Sequence, residues 1–161
     1  MSKTVLKVKN LNMHYETIAG NVSAVRDVSF ELKEGESFGL VGESGCGKTS
    51  VAMSLLQLQA DNAKISSGSI KLNDEELVTK TEKELRKIRW KGISIVFQGA
   101  MNAWNPVVKI GEQIREAIRE HYPNNSKEEN SEKIKKLFDI VGLEHSIMNR
   151  FPHELSGGMK Q

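Results

Sequence analysis

Eight residues in this chain have the types and spacing to hold a phosphate: Gly42-Glu43-Ser44-Gly45-Cys46-Gly47-Lys48-Thr49 matches G-x-x-x-x-G-K-[ST]. Glycines let a loop turn so that successive N–H groups converge on one anion, and a helix starting at the loop adds partial positive charge there. Lys48 supplies a point charge for the β- and γ-phosphates, and the Thr49 hydroxyl an oxygen for the Mg²⁺ that accompanies them. The flanks suit the motif. Ser37-Phe38-Gly39-Leu40-Val41 before it predicts a short buried strand, and Ser50 to Leu58 after it a helix. Ser50 joins the loop residues as a candidate phosphate contact. The chain's single cysteine, Cys46, lies inside the loop, where a small filler is the favoured reading over a redox group.

The elements that must carry this loop are partly legible. The opening up to Tyr15 is β-branched and glycine-free and predicts a strand or strand pair, although Val5, Val8 and Leu11 break simple alternation. Ile18 to Val22 predicts a turn. From Ala24 to Leu32, Val28, Phe30 and Leu32 alternate with Asp27, Ser29 and Glu31, the pattern of a half-solvated strand. Phe38 to Val41 and Ile93 to Phe97 lack polar alternation, as expected of central parallel strands covered on both faces. The second of these delivers Gln98 to a strand's carboxyl end, where open α/β sheets bind ligands.

Other stretches are read as connectors and helices. Asp61 to Lys64 and Ser66 to Gly68 read as loop, Gly68 to Asp74 as a short strand entering an Asn-Asp turn. Thr81 and Glu84 have capping-box spacing. Arg86, Lys87, Arg89 and Lys91 read as a solvated helix face. Beyond Gln98 the pattern turns helical: Ile110 to Glu120, then Lys127 to Val141 with Ile134, Leu137, Phe138 and Val141 on one face and Gly142 as its C-terminal stop. We therefore divide the chain into a nucleotide-binding core, 1–98, and a helical subdomain, 99–161.

Composition narrows the class. The chain has 161 residues, enough for one domain with a substantial core, and a net charge of only +2 with both signs interspersed. No basic face marks a nucleic-acid surface. His14, His121, His145 and His153 are scattered without metal-ligand spacing. A lone cysteine and the lack of any apolar run of membrane length predict a soluble, intracellular protein.

Leu155-Ser156-Gly157-Gly158-Met159-Lys160-Gln161 makes the reading specific. Following a phosphate loop, a strand-terminal glutamine and a helical segment, it resembles the signature motif of ATP-binding cassette (ABC) transporter ATPases. The resemblance implies an α/β fold: a P-loop NTPase core with an antiparallel β part and a helical subdomain, here C-terminally incomplete. It also implies that Ser156, Gly157 and Gly158 cover the γ-phosphate of ATP bound to an opposite protomer. Tyr15 takes the place of the aromatic that stacks on adenine. Gln98 takes that of the glutamine that senses Mg²⁺ and the attacking water.

The segment Met101 to Gln113, with Asn105-Pro106 and Ile110-Gly111-Glu112-Gln113-Ile114, is similar to the ATPases of dipeptide, oligopeptide and nickel importers. It departs from them at Gly99-Ala100, where an acidic residue and proline are usual, and at Trp104. The implied cofactors are ATP and Mg²⁺. The implied partners are a second ATP-binding subunit, transmembrane permease subunits and, indirectly, an extracytoplasmic solute-binding protein, with the chain on the inner face of the cell membrane. Different expectations attend a soluble ABC-type ATPase of DNA repair or translation, a nucleotide-binding-only fragment, and a GTPase or small-molecule kinase.

Hydrolysis in this class needs an acidic residue ending an apolar strand. Downstream of Lys48 the one well-formed apolar strand ends in Gln98, and Asp139 lies in a helical pattern, so no Walker B is found. We read the chain as an N-terminal fragment that binds nucleotide weakly, turns over negligibly and exposes apolar strand edges.

Overall fold

The computed structural model describes residues 2–97, 99 and 103–160. Contacts divide the chain into two units, Met1–Ser94 and Ile95–Gln161.

In the first unit, β1 (Thr4–Thr17) is the centre of an antiparallel sheet with β2 (Gly20–Lys33), β3 (Ala63–Leu72) and β4 (Glu75–Glu76), in the order β2-β1-β3-β4. The broken alternation in β1 is a bulge. Pairing with β2 shifts between Val8 and Leu11, and pairing with β3 between Lys9 and Asn12. One extra residue returns Leu11 and Met13 to the face of Leu6 and Val8, and all four are buried. Asn10 and Asp27 take the left-handed backbone there, with φ 46° and 49°. Their polar groups are satisfied locally. Asn10 Nδ2 donates to Asp27 Oδ1 at 2.7 Å, and the Asp27 N–H donates to Asn12 Oδ1 at 3.0 Å.

The bulge also corrects the reading of Ala63-Lys64 and Ser66 to Gly68 as loop. From Ala63 on, this stretch is β3, and its Ser-Gly composition serves the bulge. Gly68 has φ 109°, and a Cβ there would stand 2.6 Å from Leu11 Cα. Only glycine lets the two backbones approach so closely. The β1–β2 turn is likewise tighter than expected, Ile18–Ala19, with β2 resuming at Gly20.

Two helices complete this unit: α1 (Lys48–Leu56), whose Val51 joins the sheet core, and α2 (Glu82–Ile88), which adds Leu85. Each such buried aliphatic contributes about 1.5–3 kcal/mol. Helix α2 starts as its spacing predicts, with the Glu84 carboxylate accepting from the Thr81 N–H at 2.8 Å and its hydroxyl at 2.6 Å. The Glu76 carboxylate is held below the usual range. Burial alone would raise it, but donors from Ser69 and the N–H groups of Ile70 and Val78 outweigh that.

The expected parallel strands are not laddered among the described residues. Residues 37–41 run without strand pairing, leaving Phe38, Leu40 and Val41 exposed; Phe38 stacks on Phe30 with centroids 4.9 Å apart. Of 93–97, only Ile93 makes a bridge, parallel to Arg89, while Val96 and Phe97 are exposed. An apolar run specifies a preference for burial, but a ladder also needs a neighbouring strand, and no described residue supplies one.

In the second unit, α3 (Ile110–His121) and α4 (Lys127–Ile140) pack with short 3₁₀ turns at His145–Asn149 and Pro152–Glu154 around Ile110, Ile118, Ile134, Phe138, Ile147 and Leu155. Ser126 caps α4 reciprocally with Glu129. Gly142, at φ 70°, closes it: Leu143 N–H reaches Phe138 O at 2.9 Å and Gly142 N–H reaches Asp139 O at 3.2 Å. Of the four residues predicted on one face of α4, Ile134 and Phe138 are buried whereas Leu137 and Val141 are exposed. No described helix is long and apolar enough to cross a membrane.

Candidate functional site

The phosphate-type loop folds as its glycines dictate. Gly45 has φ 78° and Gly47 φ 93°, and α1 begins at the next residue, Lys48. A side chain at Gly47 would stand 2.3 Å from the Ala24 carbonyl oxygen of β2, so the loop lies against that strand with no room for a Cβ. Gly47 has no capping side chain, and no acidic residue occupies the first turn of α1. The positive end of α1 is therefore left for an external anion.

Lys48 is held inside the loop by the loop itself. Its ammonium donates to Gly42 O at 2.7 Å and Glu43 O at 2.5 Å, with Cys46 Sγ at 3.5 Å. Both oxygen acceptors are neutral carbonyls, which compensate the ammonium charge less than an anion does. Thr49 is exposed, its hydroxyl available as a single hard oxygen ligand. Ser50 is buried at 8% exposure, and its carbonyl accepts from the Ser54 hydroxyl at 2.8 Å.

Tyr15, near the end of β1, reaches this first turn: its hydroxyl lies 3.0 Å from the Ser50 hydroxyl. Tyr15, Gly45, Gly47, Lys48, Thr49 and Ser50 line one cleft of about 300 Å³, with Val22, Ser23 and Ala24 of β2 completing its lining. The cleft thus pairs an aromatic ring with an anion cradle. Sequence reasoning missed the β2 wall; the signal was the loop's need for a glycine at 47, which a nearby backbone would explain. Gly42, Glu43 and Ser44 are exposed at the loop's entrance, and Cys46 is an exposed free thiol.

In the second unit, Ser156, Gly157 and Gly158 are exposed at the start of a one-turn helix, α5 (Gly157–Lys160). The Ser156 hydroxyl accepts from Met159 N–H at 3.4 Å, while Leu155 anchors the turn in the core. Trp104 braces the other end, its indole N–H donating to Lys160 O at 2.9 Å. Gln113 fixes the segment before α3 through Asn105 N, Asn105 O and Val108 O at 2.8–3.0 Å. Gln98 lies outside the described residues. Among those described, no group of three or more His, Cys, Asp or Glu side chains is placed to hold a metal.

The family model described as ABC transporter matches residues 25–161. The chain is 39% identical over 159 residues to the dipeptide transport ATP-binding protein DppD of Lactococcus lactis subsp. cremoris, covering 98% of this chain and 46% of that one. It is 41% identical over 159 residues to the oligopeptide transport ATP-binding protein OppD of Escherichia coli, covering 98% and 47%. The chain thus spans about half the length of these curated relatives. Among solved structures, it superposes on dimeric MJ0796, a bacterial ABC transporter cassette, with a TM-score of 0.81 at 27% identity, covering 96% of this chain and 65% of that one. A post-hydrolysis form of MJ0796 bound to ADP and Pi gives 0.78 at 25%, with the same coverage. Cradle, signature turn and family match agree over nearly the whole chain: it belongs to the ABC transporter family.

Proposed function

We propose that this chain is the nucleotide-binding portion of the ATP-binding subunit of a peptide importer, its ATP hydrolysis driving solute uptake. The observation that carries the proposal is the cleft in which an aromatic ring, a glycine-bounded loop and Lys48 meet at the start of α1. Similarity to dipeptide and oligopeptide transport proteins supports the solute class, and nickel is the alternative solute that the importer-like sequence suggests.

ATP and Mg²⁺ fit the residues present. Gly45 and Gly47 take the left-handed backbone that turns the loop into the start of α1, and the cleft volume is at the lower end of ligand sites, ~300–1,000 Å³. Tyr15 would stack on the base, Lys48 would supply its charge to the β- and γ-phosphates, and Thr49 would give Mg²⁺ an oxygen ligand. Bound Mg²⁺ neutralises charge on the transferring phosphoryl group. By its resemblance to the family's glutamine, Gln98 would sense Mg²⁺ and the attacking water.

Ser156, Gly157 and Gly158 complete the site of a second ATP-binding subunit, identical or related, so ATP acts as the adhesive between the two subunits. Permease subunits at the cytoplasmic face of the membrane receive the motion, an extracytoplasmic solute-binding protein acts through them, and no nucleic acid takes part. Within this chain no apolar strand ends in an acidic residue, so isolated residues 1–161 bind nucleotide but turn it over negligibly.

The test is uptake. Cells relying on the chromosomal copy for growth on di- and oligopeptides should stop importing them when Lys48→Ala is introduced there, with nickel accumulation unchanged. Peptide uptake unaffected by Lys48→Ala would overturn the peptide assignment; loss of nickel uptake alone would replace it with nickel.

A further inference from the structure

The positive end of α1 faces the cleft; at the negative end the Gln57 side chain donates to Ser54 O at 2.7 Å, and Arg89 holds the last two carbonyls. After Leu56 the chain leaves α1 through Gln57 in the left-handed backbone, φ 53°, whose N–H returns to Ser54 O at 3.1 Å. The carbonyls of Leu56 and Gln57 are then among the orphan acceptors of a helix end. Arg89 takes both: its Nε donates to Leu56 O at 2.8 Å and one Nη to Gln57 O at 2.7 Å. Its other Nη lies 2.8 and 3.0 Å from the two carboxylate oxygens of Glu82, at the start of α2. The guanidinium side chain is only 15% exposed. Every face of the fork is used.

Arg89 also sits where the chain changes direction. Its own N–H closes α2 on Leu85 O at 2.8 Å, it bridges in parallel to Ile93, and Gln98 is nine residues on in the sequence. One planar cation therefore joins the far end of α1 to the first turn of α2. A lysine offers the charge but no fork matched to two carbonyls and a carboxylate.

We propose that Arg89 is a positioning residue for the nucleotide cleft: by clamping the C-terminal carbonyls of α1 it fixes the axis along which α1 presents its N-terminal amides to phosphate. The proposal rests on the reading that this cleft binds a nucleoside triphosphate. Truncating Arg89 frees the helix end, so α1 rocks and frays; the α1 amides open more often, and the phosphate cradle loses registration although no atom of it has been changed.

The test compares wild type, Arg89→Lys and Arg89→Met by hydrogen exchange without ligand and by equilibrium binding of ATP and of inorganic tripolyphosphate. We expect exchange to accelerate along all of α1, including its first turns near Ser50 and Val51. We expect both ligands to bind about five-fold more weakly to Arg89→Met, the size of a helix-terminus charge effect, with Arg89→Lys recovering only part. Faster exchange confined to residues 55–58, with both affinities equal to wild type, would overturn it. If Arg89→Met does not fold, the same readouts on Arg89→Lys decide. If the wild type binds neither ligand, the nucleotide reading falls, and exchange at the first turns still decides whether Arg89 governs α1.

Discussion

The hydroxyl of Tyr15 lies 3.0 Å from that of Ser50, so the aromatic wall of the cleft is tied to the first turn of α1. Ring and cradle are thereby one assembly: the residue proposed to recognise a base is oriented by the helix proposed to recognise phosphate. Tyr15→Phe keeps the ring and loses the bond. It should cost about 1 kcal/mol of stability while leaving ATP affinity within about three-fold, under 1 kcal/mol. Tyr15→Ala should weaken ATP but not tripolyphosphate. Thermal melts and titration of both ligands check this; equal losses for the two ligands would mean that the ring serves the fold alone.

Gly47 is the position where the cradle depends most on a missing side chain. With φ 93° and the Ala24 oxygen 2.3 Å from a built Cβ, Gly47→Ala must displace either the loop or β2. A backbone clash of this kind in a left-handed conformation costs on the order of 1–3 kcal/mol. Loss of ATP binding should accompany the drop in melting temperature. Gly142→Ala, also left-handed at φ 70° but with open space around it, should destabilise less and leave ATP binding unchanged.

Glu82 reports on the Arg89 clamp. Its carboxyl is held below the usual range chiefly by the hydrogen bond from Arg89, with Arg86 adding to it. A depressed folded-state pKa means the stabilisation is present above the ordinary glutamate value and is lost as pH falls through the lowered one. An NMR titration should place Glu82 below the ordinary glutamate value in wild type and move it back up toward that value in Arg89→Met. An unchanged Glu82 titration in that variant would show that the contact does not persist in solution.

The exposed apolar side chains predict self-association. Val96 and Val107, each 78% exposed, sit at the surface of the second unit, and Val41, 92% exposed, at that of the first. Val96→Lys with Val107→Lys should raise the monomer fraction in sedimentation and lower binding of a hydrophobic dye, with stability changed by less than about 0.5 kcal/mol. Equal aggregation in the variant would shift the cause to partial unfolding.

Local signals were legible in the sequence where the structure is locally determined. Thr81 with Glu84 and Gly142 after α4 each act through neighbours within a few residues, and the Gly42–Thr49 loop leads directly into α1 as its spacing implies. What failed was non-local. Ser66 to Gly68 has loop composition, yet it pairs with β1 because Asn10 and Leu11 bulge opposite it, more than 50 residues away in sequence. Arg89 has the sequence context of a solvated face, but its acceptors at Leu56 and Gln57 lie more than 30 residues upstream. Residues 37–41 and 93–97 advertise burial through composition alone, and composition does not name the strand that would cover them. In the cleft, the glycines and Lys48 were readable from the motif; the β2 wall and the Tyr15–Ser50 bond were not, because a sheet register brings them there.

The central claim is that the start of α1 is an ATP site worked by Lys48. Calorimetric titration of residues 1–161 with Mg²⁺–ATP, wild type against Lys48→Ala, tests it most directly. The account predicts saturable binding by wild type, weakened at least ten-fold, about 1.4 kcal/mol, in Lys48→Ala, with melting temperatures of the ligand-free proteins alike. Equal ATP affinity in the two proteins, or no ATP binding by a folded wild type, would contradict it.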